Sequence, residues 1–364
     1  MPKKKWRLTP QPQDKVPAPK LPYLPQDPKR YQPGIALIGC GAITPHHLGE
    51  YKKAGYRVLA VADVVRKRAR KRQTDFFPRA EVYTDYTRVL ERDDIEVVDI
   101  APHPKERYPI IEAALNAGKH VLSQKPFVLD LDRGEHLVHL ARRNGVKLAV
   151  NQNGRWAPHF SYMRQAIQAG LIGDIISVHT QNHWDHNWTA DTPFNEVRHL
   201  MLYDFAIHWF DILACWMGGR KPERVFASLA KGANQVADPP LLAQVMVEYE
   251  QAQASLVFDG STPFALPERA VVTGSKGTLV GEKERRVTLR TANGVARPRL
   301  RGRWFTNGFH GTMGELLRAI EEDREPSNSG ADNLKGLALC YAAVASAEQH
   351  KPMVPGEVRR MPGA

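Results

Sequence analysis

The 364 residues are 42% hydrophobic and 25% charged, ordinary globular usage that excludes a mostly disordered or fibrous chain; the length suits about two domains. No run stays apolar for the ~18 residues a membrane span needs, and nothing apolar follows the basic start MPKKKWRLTPQPQDK, so neither a membrane helix nor a signal peptide is expected and the cytoplasm is the default location. Half of the formal charge of +12 sits in residues 1–33, where eight Lys or Arg face only Asp14 and Asp27.

That segment also holds nine of the 27 prolines, so it can neither build a helix nor pair as a central strand. It reads as an extended arm, either a solvated linker or a strap across a neighbouring subunit anchored by Trp6, Tyr23, Leu24 and Tyr31. A nucleic-acid arm is the weakest reading, because regularly spaced aromatics are missing and the remaining charge is spread thinly. Cys40, Cys215 and Cys340 stand far apart and outside metal-binding spacings, which points to reduced thiols and to no metal site.

After Pro33 the run GIALIGCGAI reads as a buried strand feeding a helix. Tyr56 to Ala62 is a second strand, followed by the basic helix VVRKRARKRQ. Strands at Ile95–Ala101, His120–Ser123 and Val146–Val150 alternate with helices at Tyr108–Ala117 and Leu131–Arg143. This rhythm predicts a doubly wound parallel sheet, the Rossmann arrangement, over residues 34–152.

From 153 to 364 the pattern changes to α+β. A helix at His159–Ala169 and a strand at Ile175–Asn182 lead into a Trp- and His-rich loop, then a helix from Leu202 to Met217. Six strand-like runs between Arg224 and Leu289, separated in part by Gly turns, predict a large, mostly antiparallel open sheet. Helices at Thr312–Glu322 and Asn333–Glu348 close the chain, with Asp332 as a cap.

The turn Gly39-Cys40-Gly41-Ala42-Ile43 lies where backbone N–H groups can approach a pyrophosphate at a helix start. Thr44 stands where a third glycine would complete the fingerprint. Asp63 ends the second strand, where a carboxylate would bond an adenosine ribose and repel a 2′-phosphate, so NAD is preferred. Arg66, Lys67 and Arg68 leave NADP open. Lys125, in Gln124-Lys125-Pro126, follows a strand at the carboxyl edge of the sheet and can hold a substrate hydroxyl by a charge-assisted hydrogen bond. Asp204 and His208, four apart on a helix, share a face, and a carboxylate beside the imidazole would orient it as a base. His183, Trp184, His186 and Trp188 in the preceding loop suit a sugar's apolar face and hydroxyl rim.

The series GCGAI, Asp63, AGKHVLSQKP, Asn153-Gly154-Arg155-Trp156, DFAIHWFD and EPSNSGADNL resembles the glucose-fructose oxidoreductase/inositol dehydrogenase (Gfo/Idh/MocA) family over roughly residues 34 to 355. The resemblance implies a nicotinamide-dependent oxidoreductase acting on sugars, polyols or related carbohydrates, and a homodimer or homotetramer. It matches Lys125 to the motif lysine and Asp204 and His208 to the DxxxH pair. Cofactor contacts are expected from Gly39, Gly41, Ala42, Ile43, Asp63, Pro102, His103, Gln124, Lys125 and Asn153. Substrate contacts are expected from Arg155, Trp156, His183, Trp188, Asp204 and His208. Gln124 stands in place of the usual glutamate, Pro102-His103-Pro104 in place of Thr-Pro-Asn, and Arg107 in place of a histidine; His47 matches a first-helix histidine and reads as structural. The rival readings are an NAD-dependent glycoside-cleaving enzyme using transient oxidation and, in another class, a non-catalytic dinucleotide-binding regulator.

Overall fold

The computed structural model describes residues 13–363. Six parallel strands, β1 (Gly34–Ile38), β2 (Arg57–Ala62), β3 (Glu81–Tyr83), β4 (Val97–Ile100), β5 (His120–Gln124) and β6 (Leu148–Asn151), lie in the order β3-β2-β1-β4-β5-β6. All five residues of β1 are buried, since both faces of a parallel sheet are covered by its crossover helices. Those helices are α1 (Thr44–Ala54), α2 (Arg66–Phe76), α3 (Thr87–Leu90), α4 (Pro104–Asn116) and α5 (Leu131–Arg143). The sequence reading missed β3, a three-residue edge strand that is only partly buried and so carries no apolar run.

The second sheet comprises β7 (Ile175–His183), β8 (Pro222–Ala230), β9 (Leu242–Tyr249), β10 (Ala252–Asp259), β11 (Arg269–Gly274), β12 (Gly277–Glu282), β13 (Arg286–Thr291) and β14 (Gly294–Ala296). Its order is β14-β13-β12-β11-β7-β10-β9-β8, antiparallel except where β10 runs parallel to β7. Burial alternates along β9 and β10, as expected of a sheet with one covered face. The helices α6 (Pro158–Gln168), α7 (Ile207–Met217) and α9 (Gly330–Gln349) pack near that face, and α8 (Trp304–Glu321) packs against α1 and β6. One hydrophobic cluster runs from Val98 and Val121 of the first sheet through Phe210 to Leu256 of the second. Among the described residues no helix is long and apolar enough to cross a membrane.

Several helix starts differ from expectation: α4 begins at Pro104, four residues before Tyr108, and α7 at Ile207, five after Leu202, because a π-helical turn occupies Met201–Phe205. Helix α8 starts at Trp304, eight residues before the expected Thr312. Its first half, WFTNGFHG, is poor in strong helix formers and gives little signal by propensity. Packing decides it: a Cβ on Gly311 would lie 2.2 Å from the Trp156 ring, so the glycine permits the close contact. The cap of α9 is Ser329, whose side chain accepts from the Asp332 N–H, while Asp332 occupies the first turn.

The arm lies along its own chain. Val16 N–H donates to Val295 O (3.1 Å) and Val295 N–H to Asp14 O (2.8 Å). Tyr162 Oη donates to Pro19 O, Ser161 Oγ to Tyr23 O, and Tyr56 Oη to Asp27. Glu321 accepts three consecutive backbone N–H groups, those of Lys29, Arg30 and Tyr31 (2.7, 2.6 and 2.9 Å). Residues 13–33 therefore strap this chain's own surface, with Tyr23 and Tyr31 among the anchors; Leu24 is exposed. Trp6 lies outside the described residues.

Candidate active site

Parallel strands bring all their carboxyl ends to one edge, so the segments after β1, β2, β4, β5 and β6 converge although they are far apart in sequence. Gly39 takes φ +88° in the turn after β1, and a Cβ there would lie 2.8 Å from Pro102, which follows β4. A Cβ on Gly41 would meet nothing within 4 Å, leaving open space over the turn for a phosphate. Asp63 braces the same turn: Oδ2 accepts from Cys40 N–H (2.8 Å) and Oδ1 from Val65 N–H (2.8 Å). Thr44, where a third glycine would stand, donates its hydroxyl to Gly41 O (2.8 Å) and accepts from Arg72 Nε (2.9 Å). Arg72 also donates to Gly41 O (2.9 Å), a tie from α2 that the sequence did not disclose. Ala42 and Ile43 complete the turn into α1. The open cradle, the left-handed glycine and the ribose-side carboxylate fit an NAD dinucleotide.

The departures from the family pattern lie in the loop after β4, at the end of the adjacent β5 and in α4. Arg107 is buried, and its guanidinium donates to Pro102 O (2.7 Å) and to the carbonyls of Gln124 and Pro126. It thereby joins the loops after β4 and β5; burial pulls its pKa down to about 10. His103 is exposed at the start of α4. Gln124 Oε1 accepts from Lys125 N–H (2.8 Å).

Lys125 Nζ donates to Asp204 Oδ1 (3.2 Å) and to Asp204 O (2.9 Å). Asp204 belongs to a single π-helical turn, Met201–Phe205, that precedes α7, and π turns recur at functional sites. This local backbone alters the expected geometry. The carboxylate of Asp204 is engaged with Lys125, whereas His208 Nδ1 lies 3.0 Å from Gln152 Oε1. Gln152 thus takes the orienting position that the sequence reading gave to Asp204. With the carboxamide oxygen facing the ring, this contact is a hydrogen bond in the tautomer that carries the proton on Nδ1, which leaves the Nε2 lone pair free. Burial, and then the positive charge of Lys125, holds His208 well below the ordinary imidazole range. Gln152 directly follows β6, so its place at a strand's carboxyl end was the one signal that could have found it.

Other expected site residues are used differently. Arg155, expected against substrate, is fully enclosed: Nε and Nη2 donate to Asp211 (2.6 and 2.7 Å), and Nη1 reaches Asp332 (2.8 Å) and Ser327 O (2.5 Å). All three of its nitrogens are engaged within the chain, as a buried guanidinium needs its charge paired. Trp156 is likewise only 5% exposed, wedged between Gly311 and Arg164. Asn153 Oδ1 accepts from Trp304 Nε1 (2.8 Å). His183 Nε2 lies 2.6 Å from Gln181 Nε2, and Trp188 is 53% exposed, edge-on to Phe194. His186 stacks on Phe205 at 4.0 Å, and burial lowers it to about 4. His47 is buried with Nδ1 2.7 Å from Asp99 Oδ2, which also accepts from Tyr51 Oη (2.7 Å). No cluster of three or more His, Cys, Asp or Glu suited to a metal occurs among the described residues.

Comparison with known proteins agrees with this architecture. Residues 34–152 match the family described as "Oxidoreductase family, NAD-binding Rossmann fold", and residues 160–280 match the "GFO/IDH/MocA C-terminal domain". The chain is 28% identical over 338 residues to an inositol 2-dehydrogenase of Rhizobium meliloti (strain 1021), spanning 87% of this chain and 97% of the relative. It is 26% identical over 335 residues to a D-apiose dehydrogenase of Paraburkholderia graminis, spanning 86% and 87%. Its fold is similar to that of an oxidoreductase from Agrobacterium radiobacter in complex with NAD+, L-tartaric acid and magnesium, with TM-score 0.81 and 20% identity over 90% and 99% of the two chains. A levoglucosan dehydrogenase in complex with NADH and levoglucosan gives TM-score 0.78 and 19% identity over 89% and 100%. With the glycine turn, its bracing carboxylate and the two matched regions in agreement, the chain belongs to the Gfo/Idh/MocA family of NAD-dependent oxidoreductases.

Proposed function

We propose that the protein is a dehydrogenase that moves a hydride between the nicotinamide and a hydroxyl-bearing carbon of a sugar, polyol or sugar derivative. The observation that carries this reading is the trio Lys125, Asp204 and His208 at the carboxyl edge of the cofactor sheet, with Lys125 fixed by Asp204 and a neutral imidazole oriented by Gln152. Relatives named for inositol and apiose oxidation support the substrate class.

Oxidising a carbinol needs an acceptor for the hydroxyl proton and one for the hydride. NAD, when bound, supplies the hydride acceptor. His208 Nε2 takes the proton, while Nδ1–H stays on Gln152 and keeps the ring from turning. An imidazole with a lowered pKa is a weak base, but it is wholly neutral at physiological pH and so always able to accept. Lys125 offsets the weakness by donating to the same hydroxyl, which favours the alkoxide as it forms. Asp204 holds the ammonium in place through both its carboxylate and its backbone carbonyl. In reduction His208, once protonated, returns the proton to the carbonyl oxygen.

The test is an absorbance scan for reduced nicotinamide with NAD, and separately NADP, across free sugars, polyols and glycosides. The reduced band should accumulate with a member of this panel and be lost in His208→Asn. Cleavage of a glycoside only when NAD is present, with no band, would replace net oxidation with transient oxidation and elimination. Silence from both assays would favour a dinucleotide-binding regulator.

A further inference from the structure

Beside Trp156 of the Asn153–Trp156 turn, a groove of about 260 Å³ opens between α6, α8 and the arm, and neither Lys125, Asp204 nor His208 lines it. Arg164 of α6 lines it and is only 7% exposed. Its guanidinium sits 5.0 Å over the Trp156 ring, its Nη2 has one long contact to Ser161 Oγ at 3.5 Å, and its Nε has no acceptor. The other deeply buried arginines are satisfied, Arg155 by two carboxylates and Arg107 by three carbonyls. Arg164 has neither.

The charges around it explain why the deficit persists. Glu315 faces the groove, but its oxygens are taken by Arg324 (2.7 and 3.2 Å) and by Ser327 N–H (2.8 Å). Arg324 also binds Glu322 (2.6 Å), and Arg318 binds Glu322 (2.8 Å) and Gln26 of the arm. Asp211, deeper inside, is bound to Arg155 and Asn333. The acids are thus matched to other bases, and among the described residues no carboxylate lies within ion-pair distance of Arg164. A buried guanidinium without an acceptor is costly, and an oxyanion on its fork is the partner that removes the cost. Burial also pulls the guanidinium pKa down, the direction that pairing with an anion reverses.

We propose that this groove binds a small oxyanion, a phosphate or carboxylate group held on the Arg164 fork, at a site separate from the cofactor and substrate site. Gln165 and Gln168 of the same helix and Gln26 of the arm supply amides for the rest of such a ligand. The pocket's volume suits a molecule the size of phosphate or citrate.

The experiment uses the full-length protein with NAD saturating, so that the cofactor's phosphate site is filled. Inorganic phosphate and citrate are titrated separately by calorimetry and thermal melting, against chloride at matched ionic strength. Saturable binding of at least one anion is expected, weakened at least tenfold in Arg164→Met and less in Arg164→Lys, which keeps the charge but loses the fork. NAD affinity should be unchanged in both. Arg164→Met should melt no lower than wild type without anion, because it removes an uncompensated buried charge. Absence of binding by both anions, or equal binding to wild type and Arg164→Met, would overturn the proposal. Should Arg164→Met fail to fold, Arg164→Lys decides: unaltered anion affinity there would equally overturn it.

Discussion

His208 is kept neutral by two causes acting together, its burial and the ammonium of Lys125. The second cause can be removed by itself. In Lys125→Met the imidazolium form loses a repulsive neighbour, so the His208 pKa should rise toward 6.5, read by NMR titration of the ring; an unchanged or lower value would mean that Lys125 does not face the imidazole. Both residues were legible in the sequence, Lys125 because it follows a buried strand into a proline and His208 because it sits four residues after an acid on an apolar helix. Their partners were not. An i,i+4 spacing states which side chains could meet on a regular helix, but the π turn at Met201–Phe205 breaks that regularity and lets the Asp204 carboxylate reach Lys125.

Between elements, Arg155 and Asp211 join the turn after β6 to α7, and Asp332 and Asn333 bring in the start of α9. Burial is the largest influence on Arg155 and opposes its charge, while Asp211 and Asp332 reverse that and raise it well above the usual range. Removing one partner strands the other. Asp211→Asn should lower the unfolding free energy by about 3–5 kcal/mol in urea, and the double change Arg155→Met with Asp211→Leu should cost less than that single one. A double variant weaker than the single would show that the pair contributes more than the avoidance of a stranded charge. The motif Asn153-Gly154-Arg155-Trp156 was visible, yet its arginine and tryptophan look the same in sequence whether they face a ligand or the interior. Helix α8 shows the same limit, since Gly308 and Gly311 weaken its local signal while allowing the turn at Asn153–Trp156 to approach closely.

At the scale of the whole molecule, the arm runs from β14 past α6 to α8 and α1 before entering β1. Its proline content predicted an extended chain but could not say what it would lie on. Because residues 13–33 make these contacts within one chain, deleting residues 1–28 should lower the melting temperature while leaving the mass from light scattering unchanged. A fall in mass would instead assign the arm to an intersubunit contact.

Strand-helix alternation, the glycine turn, Asp63 at the end of β2 and the run of mostly antiparallel strands from Arg224 onward are local patterns, and the sequence by itself determined them. Each depends on neighbours within a few residues and on hydrophobic periodicity. Tertiary structure alone decided that Gln152 orients His208, that Asp204 serves Lys125, that Arg155 is sealed in an ion-pair cluster, and that Arg164 is buried without one. Those outcomes depend on pairings between side chains 50 to 180 residues apart, set by which loops a parallel sheet gathers at one edge and by which charges the packed helices shut away from water.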